Sequence, residues 1–399
     1  MNDDSTSPAF PAVSGTWLML ATLCVAAFIS AVNFFATSPF YPSIARDLDT
    51  SVPLLGQAIT MMLMISAVLG LAVGPLADRY GYRWPLALGA LAIAVNMLGT
   101  AAATSYSVLL GLSVVGALGD ALVFGLTLAF ASTIFAGDAQ RRALSWTIAS
   151  LSVGAVVGIP ILTTIGDVST WRIAIGVAGI ASLAVTGMIV LVLPPDRRHP
   201  QTRLVWRELL DAYAPLINHS PTLRLLMITG LRAMYFLGMV TYLGALLGDE
   251  LGLTTSQVGF AYMISGVGST FGSFVAGTNV LRFSARSVVA VSNLVSGSLI
   301  AMVLWSSSVA LVLALLPLVG VASAIGGVTV ATLLAAESPA HAGTTMALNA
   351  ALLNAGAAGG AGLGGALLAL GGFHALALGL PVFSLMAAIL AWWPRQRSR

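Results

Sequence analysis

The chain has 399 residues, of which 58% are hydrophobic and only 8% charged, where a soluble domain carries about 25% charge. Seventeen basic and fourteen acidic side chains cannot clothe a water-soluble particle of this size. A soluble enzyme, a disordered chain and a collagen-like repeat are excluded, and an integral membrane protein remains.

A helix that spans a bilayer needs about 20 mostly apolar residues. Residues 1–14 are polar and are expected to form a disordered cytoplasmic N-terminus. The first span, 16–38, holds the single cysteine, Cys24; one cysteine permits no disulfide within the chain. This run is too deep and too long for a cleaved signal. Five more spans follow at 54–77, 84–104, 107–135, 143–165 and 171–193. Residues 194–223 form the one long hydrophilic connection. In it Trp206, Leu209, Leu210, Tyr213, Leu216 and Ile217 recur at helical spacing, with Arg203, Arg207, Glu208 and Asp211 on the other face. That pattern predicts a short helix lying in the membrane interface. Six further spans occupy 224–248, 256–279, 287–306, 308–336, 344–370 and 373–393, and 395–399 form a basic tail. The runs are continuous, where a β-barrel would alternate over ten-residue segments.

All 17 basic residues are arginine, so lysine Schiff-base and phosphate-loop chemistry is absent. With the N-terminus in the cytoplasm, every arginine lies on the cytoplasmic side except Arg46 and Arg172, outside, and Arg232, inside the seventh span. The positive-inside rule then places both termini in the cytoplasm. The chain divides into six-helix halves, 15–193 and 224–394. A weak internal repeat links them at an offset near 200: Gln57 with Gln257, Gly70 and Gly74 with Gly272 and Gly277, Arg79 and Arg83 with Arg282 and Arg286. Duplicated halves imply a substrate path between them.

The sharpest local signal runs from Gly74 through Pro75-Leu76-Ala77-Asp78-Arg79-Tyr80-Gly81-Tyr82 to Arg83. Gly74 and Gly81 permit a tight cytoplasmic turn, and Asp78 can accept charge-assisted hydrogen bonds. The segment resembles the signature loop of the major facilitator superfamily, G-x-L-a-D-r-x-G-r-k, departing at Tyr82. Span count, central loop and repeat extend the resemblance over essentially the whole chain. It implies an all-α membrane fold of twelve helices in two pseudo-symmetric six-helix bundles. It also implies alternating access and a cavity lined by the first, fourth, seventh and tenth spans. The role it implies for Asp78, Arg79 and Arg83 is that of a conformational latch.

Gly154, Gly158 and Pro160 in the fifth span resemble the G-x-x-x-G-P motif of drug:proton antiporters in that superfamily, with Ile159 inserted before the proline. The variant is closer to the arabinose- and sugar-efflux-like branch. Small residues four apart let helices approach closely, and the proline removes a backbone hydrogen bond. Two ionisable residues lie deep in spans, Asp120 in the fourth and Arg232 in the seventh; such positions cost about 2.5–3.5 kcal/mol each. Asp120 is read as the protonatable or cation-binding group. Arg232 either pairs with it or holds an anionic group. Many relatives carry an arginine in the fourth span, but Gly111 to Gly116 has none. Further cavity candidates are Asn33, Phe34, Tyr235, Tyr242, Asn349 and Asn354.

No zinc motif or second deep aspartate supports an intramembrane enzyme, and neither a cofactor nor a metal is expected. The sequence therefore reads as a bacterial inner-membrane secondary transporter, expected to be monomeric. Its expected partners are the bilayer, a small-molecule substrate and protons, with no nucleic acid. Proton-coupled efflux of small amphiphilic, drug- or sugar-like compounds is the leading function. A facilitator or importer of a small metabolite is the alternative.

Overall fold

A computed structural model describes residues 13–135, 137–194, 213–278, 284–339 and 342–392. The described chain is helical: α1 (Val13–Phe35), α2 (Tyr41–Asp47), α3 (Val52–Tyr80), α4 (Arg83–Ala102), α5 (Tyr106–Ile134), α6 (Gly137–Val153), α7 (Ile159–Val168), α8 (Trp171–Val192), α9 (213–218), α10 (Ser220–Ala245), α11 (Thr255–Thr278), α12 (Ala285–Trp305), α13 (Val309–Glu337) and α14 (Ala342–Trp392). Among the described residues, eleven stretches are long and apolar enough to cross a membrane. The last of them is two crossings. Gly371 and Gly372 leave the helical conformation, and Gly372 takes φ 64°, which favours glycine. The limbs fold back on each other, so that Gly364 faces Leu376 and Gly379 faces Leu367. The described residues thus make twelve crossings.

The crossings form two bundles. In the first, α4 packs on α5 and α8, and α1 packs on α5, α6 and α8. In the second, α10 runs along α14, while α13 packs on α11 and α12. The bundles meet chiefly where α3 packs against α14 and α7 against α11, and α2 and α3 also touch α10. Each bundle has its own buried core, around Leu23, Leu86, Ile93 and Leu126 in one and Tyr235, Met239, Leu316 and Leu380 in the other. Large apolar side chains such as Leu191, Phe274 and Leu370 point outward, as lipid contact requires. Lipid offers apolar groups as good a home as a neighbouring helix does, so close backbone approach must hold helices together. Gly268 lies against the Pro317 backbone, Gly320 against Ser265, and Gly356 against Gly230.

Breaks in the helices fall at identifiable residues. The fifth span widens into a π turn at Gly154–Gly158, just before Pro160. A second π turn, Leu246–Glu250, ends the seventh. The reversal between the second and third spans differs from the sequence expectation. Gly74 lies inside α3, which continues to Tyr80, and Gly81 alone, at φ 78°, turns the chain. Pro75 does not stop the helix. Its missing N–H leaves the Leu71 carbonyl without its helical donor, and the Tyr213 hydroxyl of α9 donates to that carbonyl at 3.3 Å.

α9 is the described part of the predicted linker helix. Its Tyr213 and Leu216 are buried and Ile217 is exposed, so it docks on the helix ends as well as facing outward. Burial pushes the Tyr213 phenol up from its ordinary range, which keeps it a donor. The N-terminal segment 1–12, the linker positions Trp206, Leu209 and Leu210, and the tail 395–399 lie outside the described residues.

Candidate functional site

A cavity of about 400 Å³ lies between the two bundles. Asp120, the midpoint of α5, reaches it from the first bundle, and Arg232 of α10 reaches it from the second. The first, fourth, seventh and tenth spans all line it, and the fifth, eighth and eleventh join them. Phe34 and Phe35 of α1, Phe124 of α5 and Phe236 of α10, with leucines and alanines between them, make its walls largely apolar. Ser30, Ser152, Ser269, Ser323 and Asn354 supply neutral polar groups.

The lining repeats between the halves at a constant offset. Ser30, Ala31, Phe34 and Phe35 of α1 correspond to Arg232, Ala233, Phe236 and Leu237 of α10, and Leu151 and Ser152 to Leu353 and Asn354; every pair differs by 202 in number. Both quartets follow the i, i+1, i+4, i+5 pattern of one helix face. The charges break this symmetry, since Arg232 stands where the first half has Ser30.

Asp120 is almost fully buried. Its Oδ2 accepts a 2.7 Å hydrogen bond from Ser66 of α3, and Ser66 Oγ in turn accepts one at 3.3 Å from Asn354 Nδ2 of α14. The carboxylate is thereby tied to the contact between the halves. Arg232 Nη2 donates to the Ser323 carbonyl at 2.6 Å and lies 3.4 Å from its hydroxyl. Gly326 and Gly327 leave room for the guanidinium; a Cβ at Gly327 would come within 2.8 Å of Nη2. Among the described residues, Asp120 and Arg232 form no ion pair with each other, and the buried Arg232 Nε has no hydrogen-bond partner. Of the two roles expected for Arg232, pairing with Asp120 is therefore not what this arrangement contains. Each charge is held by neutral groups on a neighbouring helix, Asp120 by Ser66 and Arg232 by Ser323, and the Arg232 Nε is left over.

Of the softer candidates, Phe34 and Asn354 line the cavity and four do not. Asn33 accepts from Asn96 at 3.1 Å and faces a small cleft beside Thr37 and Ser113. Tyr235 donates to Asn293 at 2.8 Å, Tyr242 to the Ala361 carbonyl at 2.5 Å, and Asn349 accepts from Thr229 at 2.8 Å. All four serve as polar bonds between helices. The reason is helical phase. Asn33 and Tyr235 each fall three residues after the first lining residue of their helix, which turns them off the lining face.

Several lining residues escaped the sequence reading. Phe124 and Phe236 lie one turn beyond the two deep charges, and that spacing was the available signal. Ser66 carries no signal of its own. The described part of the signature loop does not line the cavity. Gly74 and Gly81 are placed as described above, and the side chains of Asp78 and Arg79 lie outside the described part. Arg83 donates to the Val190 carbonyl of α8 and approaches the Trp84 ring. Gly154 and Gly158 face α1: a Cβ would meet the Phe28 carbonyl at 2.6 Å and Val32 at 2.5 Å respectively.

The end of the molecule away from the arginine-rich loops is closed across the halves. The Ser38 hydroxyl lies 2.8 Å from the Thr241 carbonyl and 2.7 Å from the Tyr262 hydroxyl. Ser256 donates to Asp167 at 2.7 Å, and Arg46 approaches Asp249 at 3.9 Å. Among the described residues, no three His, Cys, Asp or Glu side chains gather as a metal site would require.

Comparison with known proteins agrees with this architecture. Residues 23–277 and 225–399 match the Major Facilitator Superfamily. A chloramphenicol resistance protein of Streptomyces lividans is 30% identical over 365 residues, covering 86% of this chain and 87% of its own. An uncharacterized MFS-type transporter of Bacillus subtilis, YtbD, is 26% identical over 276 residues, 68% of this chain and 66% of its own. The structure of a bacterial homolog of the human lysosomal transporter Spinster, inward-facing and unoccupied, superposes with a TM-score of 0.73 at 14% identity, covering 95% of both chains. The chain belongs to the major facilitator superfamily, a family of multi-pass membrane transporters and not of enzymes.

Proposed function

We propose that the protein exports small amphiphilic compounds, drug- or sugar-like, in exchange for protons, by alternating access across the bacterial inner membrane. In this reading both termini are cytoplasmic. The halves divide at 194–223, and the closed end described above faces outward, leaving the cavity to the cytoplasmic side. The observation that carries the reading is one acid and one base, unpaired with each other, in an apolar cavity between two duplicated halves. Asp120 is the proton-exchanging group, and Arg232 holds a polar or anionic part of the substrate. Gly74, Asp78, Arg79, Gly81 and Arg83 latch the cytoplasmic side. Gly154, Gly158 and Pro160 let the fifth span flex against the first. The relative named for chloramphenicol resistance supports the outward direction.

Proteoliposomes with an imposed pH gradient test this. Chloramphenicol or a related amphiphile should move against its own gradient in the wild type and lose that coupling in Asp120→Asn. Unchanged proton-driven transport by Asp120→Asn at every pH tested would sink the assignment. The absence of a basic residue between Gly111 and Gly116 favours one second reading, an uncoupled facilitator or importer. That reading expects equilibration without accumulation in the same vesicles.

A further inference from the structure

We infer that the cavity selects molecules that are neutral overall but dipolar. A cationic or donor end sits at Asp120, an anionic or acceptor end at Arg232, and an apolar or aromatic middle lies among Phe34, Phe124 and Phe236. This deepens the transporter reading and rests on it for the identity of the site.

Both charges keep bonding capacity that their protein partners leave unused. Asp120 is bonded through Oδ2 to one serine hydroxyl. Arg232 uses Nη2 on Ser323 and its guanidinium also interacts with the Tyr235 hydroxyl, while its buried Nε makes no well-formed hydrogen bond among the described residues. Neither charge neutralises the other, although both line one cavity of about 400 Å³, a volume suited to a drug-sized ligand. In a site walled by apolar side chains, Coulombic forces are stronger than in water. A lone cation would be drawn to Asp120 and repelled by Arg232, and a lone anion would meet the reverse. A molecule with both ends is attracted at each and carries no net charge into the bilayer.

The repeat strengthens the argument. The position equivalent to Arg232 in the first half is Ser30, so the base is not a product of duplication. Acid and base stand one in each half. A ligand that bridges them binds the two halves together, which gives it different affinities for states in which the halves are near or apart. A proton arriving at Asp120 competes with the ligand's cationic end, so exchange follows from occupancy of one carboxylate.

The test uses the purified full chain in lipid nanodiscs, without any gradient. The probes share one scaffold: para-aminomethyl-phenylacetate as zwitterion, its methyl ester as cation and its N-acetyl form as anion. Affinity is read from concentration-dependent thermal stabilisation. The zwitterion should bind at least about tenfold tighter than either ion, as one charge-assisted hydrogen bond gained implies. Asp120→Asn should move the preference toward the anion, and Arg232→Gln toward the cation. Equal binding of ester and zwitterion by the wild type would overturn the inference, as would stabilisation by none of the three. So would variants that fold, judged by gel filtration, and leave the ranking unmoved. The wild-type ranking is decisive even if a variant fails to fold. Dipole selection without proton coupling would defeat the exchange reading alone. Proton-coupled transport without dipole selection would defeat this inference alone.

Discussion

The contact between α10 and α14 supports a quantitative prediction. Gly230 and Arg232 are two residues apart on α10, and Asn354 and Gly356 are two apart on α14. The glycine contact therefore sets the spacing of two cavity walls. A Cβ on Gly356 would lie 2.1 Å from the Gly230 carbonyl oxygen and under 3 Å from its carbonyl carbon and Cα. Ordinary contact begins at 3.4 Å, and the atoms met are backbone, which no rotamer change can move. Gly356→Ala must therefore push the helices apart locally by roughly 1 Å, at a cost of about 1–3 kcal/mol. Gly187 of α8 is the control, since nothing lies within 4 Å of its notional Cβ. Gly187→Ala should gain about 0.5–1 kcal/mol from helix propensity. The same added methyl group should thus act in opposite directions at the two sites. The assay is the fraction of purified protein remaining monodisperse after heating in one detergent, across a temperature series. Gly356→Ala should lose its midpoint temperature relative to wild type, and Gly187→Ala should hold or raise it. Equal midpoints for the two variants would refute backbone contact as the source of this packing.

Three further outcomes are expected. Ser66→Ala removes the hydroxyl shared by Asp120 and Asn354 and should destabilise by about 1–3 kcal/mol, seen in the same heating series, while Ser66→Thr, which keeps a hydroxyl there, should recover most of the loss. Gly372→Ala meets no neighbouring atom but forces a side chain into an extended conformation at positive φ that only glycine adopts readily, costing about 1–3 kcal/mol; a midpoint equal to wild type would count against the sharp break in α14. Tyr262→Phe removes the hydroxyl that contacts Ser38, donates to the Val240 carbonyl and accepts from Gly244 N–H. With Cys24 replaced and Ser38→Cys introduced, an impermeant thiol reagent added outside whole cells should label the Tyr262→Phe protein faster than its parent.

Apolar runs of the right length reveal spanning helices directly, because the bilayer demands length and little else. Deep charges are equally visible, because few residues can bear that position without a purpose; hence Asp120 and Arg232 stand out before any coordinates. Their partners do not. Ser66 is a lone hydroxyl in an apolar run, and only folding brings it beside a carboxylate 54 residues away and an amide 288 residues away. Asn33 and Tyr235 are polar groups within spans that line the cavity, but helical phase turns both toward neighbouring helices. Gly74 was read as a turn residue because glycine permits one, but α3 had a hydroxyl donor from α9 waiting at the carbonyl that Pro75 strands.

The π turn at Gly154–Gly158 also bears on chain length. In such a turn the hydrogen-bonded ring takes in one residue more than in an α turn. The fifth span carries one residue more, Ile159, than the motif it resembles. An added residue in a uniform α-helix would rotate everything beyond it by about a quarter turn or more. Here the wide turn closes at Gly158, before Ile159; the two glycines that bound it meet α1, and Asp167 farther along meets Ser256. The span is thus two α-helical rods joined by one wider turn, which meets α1 at the joint and α11 beyond it.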